Sequence, residues 1–237
     1  IQQSFMPQVL PGGSAAFYEL AARNLQATAV GGDFYDAIEL PDNRLGLIIG
    51  DVSGKGVPAA LYMARLMSDV RLYALKGTHP DDLLSNMNES LTVRSRQGMF
   101  VTVQYAIINT LTGHVVLANA GHLPVLWMSP ARGETRWLNN SMGIPLGILP
   151  QQKFDTIEFD LNPGDYIVLF TDGIVEARNP EGQALGLERL SQIDLSQLDA
   201  EALLQQVLRT VTEHMQHVSQ QDDITALVFY WKTRGRN

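Results

Sequence analysis

Leu47-Ile-Ile-Gly-Asp51-Val-Ser-Gly-Lys-Gly56 decides how the rest of the chain is read. An apolar run climbs to one aspartate and breaks into glycines, and Pro58 then stands where a first-turn proline opens a helix. A buried strand ending at Asp51 sets a carboxylate at the rim of a sheet, on a loop with little steric bulk. A cation or a phosphate can approach the backbone closely there. Three further stretches read as aspartate-bearing turns: Gly31-Gly-Asp33-Phe-Tyr-Asp36, Thr171-Asp172-Gly173 and Gln221-Asp222-Asp223.

Outward from that stretch, residues 17–29 and 45–49 read as strands, the second continuously apolar. A helix is expected over 58–75, with Leu61, Ala64, Met67 and Leu75 among its buried positions. A second follows after Thr78, carrying Leu83, Leu84, Met87 and Leu91 at helical spacing. From Phe100 the period changes to two: Val101, Val103, Tyr105 and Ile107 alternate with polar or small residues, which is a strand. Hairpins are expected around Thr110–Gly113 and 129–133, an apolar strand over 166–170, a late helix around Leu203, Val207 and Val211, and a closing strand over 224–231. Helices bunched in two places among antiparallel strands predict an α+β fold, two packed antiparallel β-sheets flanked by helices. No repeat or linker divides the chain, so one domain over 1–237 is expected, with 1–16 as a linker-like lead-in.

The composition narrows the chemistry. The 237 residues contain no cysteine, which excludes disulfides, thiolate metal sites and cysteine-nucleophile phosphatases. A net charge of -8 argues against nucleic-acid binding, which neutralises phosphates with basic side chains. No apolar run approaches the ~18 residues of a membrane span. The start at Ile1, without Met or a signal-peptide pattern, is read as an excised output domain. Its missing neighbour would be an upstream sensor or a membrane anchor. Homodimerisation through the lead-in or that region is a further expectation, and a cytoplasmic location fits the absence of cysteine.

Asp51 and Asp172 each follow a strand-forming run and precede a glycine turn, so if those strands pair in one sheet both carboxylates emerge at one edge. Asp222 and Asp223 precede the last strand and reach that edge only if it runs antiparallel to the others. Any one aspartate alone reads first as a turn residue or helix cap. Several carboxylates in one place repel unless cations neutralise them, and an all-oxygen set suits Mg²⁺ or Mn²⁺ over zinc or copper. Two such ions bridged by one carboxylate are a recurrent hydrolytic arrangement. Gly50 to Lys55 is not a Walker loop, because the spacing between its glycines is one residue short and Gly56 replaces the Ser or Thr. His122 reads more readily as a structural histidine than as a general acid. The helix over 58–75 reads as packing, or as a lever that moves Asp51.

Five motifs in this order, Gly31–Asp36, Gly50–Gly56, Asn119-Ala-Gly-His122, Phe170-Thr-Asp-Gly-Ile-Val-Glu176 and Gln221-Asp-Asp-Ile-Thr225, resemble the bacterial PPM-type (type 2C) serine/threonine phosphatases of the SpoIIE/RsbU-like branch. The resemblance runs from about Gln26 to Phe229. It implies two Mn²⁺ or Mg²⁺ ions, Asp51 bridging both, the Val52 carbonyl as a ligand, and Asp172 and Asp222 on the ion shared with Asp51. Asp33 would act at the second ion, directly or through water, and orient or deprotonate the nucleophile. Asp223, where many relatives have Asn, and Asp36 would stand beside the ligands without touching the ions. The arginine that holds phosphate in eukaryotic members has no counterpart here; Arg23 is near in sequence but outside the motif. The implied substrate is phosphoserine or phosphothreonine on a STAS-type regulator, hydrolysed by water activated between the ions. The alternative is a catalytically weak domain that sequesters the same partner.

Overall fold

The computed structural model describes residues 6, 7, 10, 11, 17–92, 98–138, 143–194 and 199–232. The expected lead-in over 1–16 lies mostly outside the described residues, but Met6 is buried and Leu10 half-buried against the core between the sheets. Ten strands form two five-stranded antiparallel sheets. The first sheet takes β1 (Tyr18–Leu25), β6 (Val125–Ser129), β7 (Glu134–Leu138), β9 (Tyr166–Phe170) and β10 (Ile224–Trp231), in the order β1-β10-β9-β6-β7. The second takes β2 (Phe34–Leu40), β3 (Arg44–Val52), β4 (Val101–Asn109), β5 (His114–Ala120) and β8 (Thr156–Asp160), in the order β2-β3-β4-β5-β8.

The two-residue period of the strands sorts side chains into three cores. Leu45, Leu47 and Ile49 of β3 face Ile167 and Leu169 of β9 and Leu227 and Phe229 of β10, filling the space between the sheets. The other parity of the second sheet, with Phe34, Ile48, Val103 and Tyr105, packs on α1 (Val57–Leu75) and α2 (Pro80–Thr92). The other parity of the first sheet, with Val168, Phe170, Ala226 and Val228, packs on α3 (Asp172–Val175), α4 (Glu188–Ser191) and α5 (Ala200–Met215). The result is a four-layer sandwich, helices on sheet on sheet on helices. Among the described residues no helix is long and apolar enough to cross a membrane.

The helices start where their sequences allow. Pro58 lies in the first turn of α1, Asp81 and Asp82 favour the positive end of α2, and the Asp199 side chain caps α5 by accepting from Ala202 N at 2.7 Å.

Three expectations need correction. Gly31–Asp36 is not one turn: Phe34, Tyr35 and Asp36 belong to β2, paired with Gly50, Ile49 and Ile48. The strands bearing Asp51 and leading to Asp172 do not share a sheet, since β3 is in the second and β9 in the first. The buried face of α1 is also out of phase with the expected one. Ala59, Met63, Leu66, Met67, Val70 and Ala74 are buried, whereas Leu61 and Leu75 are 68% and 60% exposed. Apolar residues lie all round this helix, so spacing alone does not select the face that packs.

Candidate metal centre

The parity that builds the core between the sheets also aims the acidic residues. Asp51 continues the Leu45, Leu47, Ile49 series, and Thr171 continues Ile167 and Leu169. Asp223 and Thr225 precede Leu227 and Phe229, and Asp33 precedes Tyr35 and Ala37. Strands β3 and β9 end, and β2 and β10 begin, at the same mouth of the sandwich, as their antiparallel pairing requires. Four separate chain segments thus deliver Asp33, Asp51, Asp172 and the Asp222-Asp223 pair to one place. They meet across the two sheets and not along one edge.

Asp33 is buried. Its Oδ2 accepts from Thr171 Oγ1 at 2.6 Å and from Thr225 Oγ1 at 2.5 Å. Burial, followed by the Asp51 charge, raises its carboxyl well above the ordinary range, and the two hydroxyls oppose that rise. Asp51 is pushed up to about 7, first by burial, then by the charges of Asp172, Asp222 and Asp223, against a hydrogen bond from the Asp33 carboxyl. Asp172, the first residue of α3, is raised by burial, then by Glu176 and Asp222. Carboxyls driven towards protonation by one another call for positive charge in their midst.

Glycines let these groups come together. A Cβ on Gly32 would lie 2.4 Å from the Val52 carbonyl oxygen and 2.6 Å from Asp51 Oδ1, so this glycine keeps clear the space before both oxygens. A Cβ on Gly31 would fall 1.4 Å from Asp223 Oδ2, and one on Gly173 1.9 Å from the Asp223 carbonyl oxygen. Asp223 Oδ1 accepts from Ala27 N at 2.9 Å, which ties the 27–31 loop over the site. Asp222 is exposed and engaged by Lys55, whose Nζ stands 3.1 Å from its Oδ2.

Among the described residues no three Asp, Glu, His or Cys side chains form a preassembled cage. The donor set nevertheless fits hard divalent ions: all oxygen, mutually repelling, and with a space before Asp51 and the Val52 carbonyl that a methyl group would fill.

The other sequence candidates take different places. Asp36 lies on the helix-facing side of β2, where its Oδ2 accepts from Arg71 Nε of α1 at 2.6 Å and its Oδ1 from Ala37 N at 2.9 Å. It joins the sheet to α1. His122 is fully buried, which lowers its pKa to about 4, so the ring is neutral at pH 7. With Nε2–H donating to the Phe170 carbonyl at 3.1 Å, Nδ1 accepts from Thr102 Oγ1 at 2.9 Å. Thr102 is the register partner of Asp51, and Phe170 leads into Thr171 and Asp172. His122 therefore staples the two sheets beneath the carboxylates.

Thr171, Thr225 and Thr102 were not among the residues expected at the site, which were carboxylates, one histidine and the Val52 carbonyl. The available signal was their parity, since Thr171 and Thr225 each continue an inward-facing series towards the acidic end of a strand.

A family model for stage II sporulation protein E (SpoIIE) matches residues 41–232, a span that begins after Asp33. The phosphoserine phosphatase RsbU of Bacillus subtilis (strain 168) is 32% identical over 184 residues, covering 77% of this chain and 53% of RsbU. The chain spans about half the length, or less, of the curated relatives it matches. Among solved structures, the RsbU and RsbW domains of Rv1364c from Mycobacterium tuberculosis superpose with a TM-score of 0.77 at 26% identity, over 97% of this chain and 63% of that one. RsbX in complex with magnesium superposes with a TM-score of 0.69 at 17% identity, over 90% of this chain and 94% of that one. The two-sheet architecture is that of the PP2C phosphatase domains. With a family model spanning most of its length and the carboxylates of its motifs gathered at one mouth, the chain belongs to the SpoIIE family.

Proposed function

We propose that this domain is a divalent-cation-dependent protein phosphatase that hydrolyses phosphoserine or phosphothreonine on a STAS-type regulator. The observation that carries the reading is the convergence of Asp33, Asp51, Asp172 and Asp222 from four segments, with Asp51 pushed up to about 7 by burial and its neighbours. Clustered carboxylates oppose folding unless they serve a cation, and a binding module has no need of them. RsbU is named a phosphoserine phosphatase, and the RsbX structure is a magnesium complex, which supports the same chemistry here.

Asp51, the Val52 carbonyl, Asp172 and Asp222 would hold two Mn²⁺ or Mg²⁺ ions, with Asp33 at the second. Such ions supply charge neutralisation and an activated water when bound. The protein's own part is positional. The hydroxyls of Thr171 and Thr225 fix Asp33 Oδ2, leaving Oδ1 for a proton exchanged with Asp51 or the nucleophile. His122 holds the Asp172 segment at a set height against the strand paired with Asp51. The open mouth admits a side chain presented by a folded protein. A sensor region upstream, a homodimer and a cytoplasmic location belong to the same proposal.

The test is phosphate release from a phosphoserine STAS protein with Mn²⁺ or Mg²⁺. Release is expected to stop with EDTA and in D51A and D172A. Activity that survives both substitutions at saturating metal would overturn the two-ion assignment. Tight capture of the phosphorylated partner without turnover would favour the sequestering domain.

A further inference from the structure

Lys55 stands at the junction of two cavities over the carboxylates. The smaller, of about 90 Å³, is bounded by Gly31, Gly32, Asp51 and Asp223, and the larger, of about 330 Å³, reaches Gly173, Glu176 and Arg178; Lys55 and Asp222 line both. Its Nζ lies 3.1 Å from Asp222 Oδ2 and donates to the Gln221 carbonyl at 3.2 Å. Both backbone neighbours are glycines at positive φ, Gly54 at 96° and Gly56 at 77°. A Cβ on either would meet nothing within 4 Å, so these glycines serve conformation and not room. The lysine is carried on a hinge-like loop four residues beyond Asp51.

An ammonium and a divalent cation repel, and both cannot sit on the same carboxylate oxygen. Asp222 Oδ1 already accepts from Asp223 N at 3.0 Å, so an ion drawn to the other oxygen, Oδ2, displaces Lys55 into one of the two cavities. A phosphate monoester carries about −1.5 to −2 charges at neutral pH and attracts lysine as a point charge. Among the described residues, Arg178, which also lines the larger cavity, donates to the Gly182 carbonyl at 2.7 Å, and Arg23 lines neither cavity and pairs with Glu201 of α5 at 3.1 Å.

We propose that Lys55 is the phosphate-binding residue of this site, neutralising Asp222 while no ion is bound and passing to the phosphate monoester when a divalent ion takes that carboxylate. The inference rests on the phosphatase reading above and supplies the phosphate-holding cation for which the motifs offer no arginine.

The experiment compares wild type with Lys55→Met and Lys55→Arg, and with Lys232→Met as a control for net charge away from the site, where Lys232 pairs with Glu19. Calorimetric titration with Mn²⁺ alone should show Lys55→Met binding at least about threefold tighter, because the internal competitor is gone. Titration of the Mn²⁺-loaded proteins with inorganic phosphate should show Lys55→Met about tenfold weaker, with Lys55→Arg close to wild type and Lys232→Met unchanged in both titrations. In turnover, KM should rise more than kcat falls. Thermal melts of the exposed variants establish that they fold. Phosphate affinity of Lys55→Met within about twofold of wild type would overturn the proposal, as would Mn²⁺ affinity that falls instead of rising. If wild type hydrolyses phosphoserine while Lys55→Met matches it, the lysine assignment fails and the phosphatase reading stands. If wild type takes up no Mn²⁺, both fail.

Discussion

Thr171 Oγ1, at the end of β9 in one sheet, donates a 2.6 Å hydrogen bond to Asp33 Oδ2, which precedes β2 in the other. Thr225 of β10 donates to the same oxygen, and its own backbone N–H donates to Thr171 Oγ1 at 3.1 Å. A closed hydroxyl pair thus positions a buried carboxyl from across the sandwich. Replacing Thr171 with Val is expected to lower metal affinity and turnover about tenfold while costing roughly 2 kcal/mol of stability. Thr171→Ser should restore both, as read by Mn²⁺ titration and urea denaturation.

Divalent ions should stabilise the fold through Asp51. At about one hundred times the dissociation constant the gain is about 2.7 kcal/mol. Asp51→Asn is expected to raise the melting temperature of the EDTA-treated protein, by removing a carboxylate that burial and the charges of Asp172, Asp222 and Asp223 disfavour, and to abolish the rise on adding Mn²⁺. Scanning calorimetry with and without metal checks both halves.

The pH dependence of the metal-free protein should show two opposed contributions. Asp51, raised from 3.8 to about 7, binds its proton more readily folded than unfolded, so stability falls as pH climbs between those values. His122, lowered from 6.5 to about 4, binds its proton more readily unfolded. Its contribution is complete above pH 6.5 and is lost as pH falls towards 4, by roughly 3 kcal/mol. In Asp51→Asn the first slope should shrink to what Asp33 and Asp172, also raised, contribute, and leave acid destabilisation steeper. Urea midpoints across pH 4–8 in EDTA measure it.

Glycines at the mouth should separate by cause. Gly173→Ala forces a methyl group against the Asp223 backbone and is expected to cost about 3 kcal/mol or more. Gly54→Ala meets open space and bears only the strain of its positive φ, about 1–2 kcal/mol. Equal losses in urea denaturation would contradict the steric account of Gly173.

Arg71 covers a buried carboxylate from a half-exposed position, so its loss leaves Asp36 without its ion-pair partner. Arg71→Ala should lower stability by ~2 kcal/mol, with Arg71→Lys intermediate. A drop in turnover larger than that fold loss implies would mean that α1 sets the position of the site.

Two strands were legible for different reasons: Val101 to Ile107 alternates large apolar with polar or small residues, and the run to Phe170 is apolar throughout because β9 is buried on both faces. Strand β2 was not, because Phe34 to Leu40 is apolar on both faces and follows two glycines that mimic a turn. Asp51, Asp172 and Asp222 were found by their place after or before strands. That they meet across two sheets was hidden, since nothing local to β3 or β9 records which sheet each joins. Asp36 shares a motif with Asp33 yet points the other way, because three residues along a strand reverse the face. The phase of α1 failed for a related reason: with leucines on both sides, only the tertiary partner chooses between them.

Strand β10 pairs with β1, some two hundred residues earlier, and carries Asp222 and Asp223 at its start. On the ribosome the mouth therefore stays unfinished until this last strand has emerged and threaded between β1 and β9. A nascent domain lacks an interior strand of the first sheet and the carboxylates that complete the acidic cluster. A chain cut short before residue 222 would lack Asp222, Asp223 and Thr225 together, so neither the acidic cluster nor the hydroxyl pair on Asp33 could form.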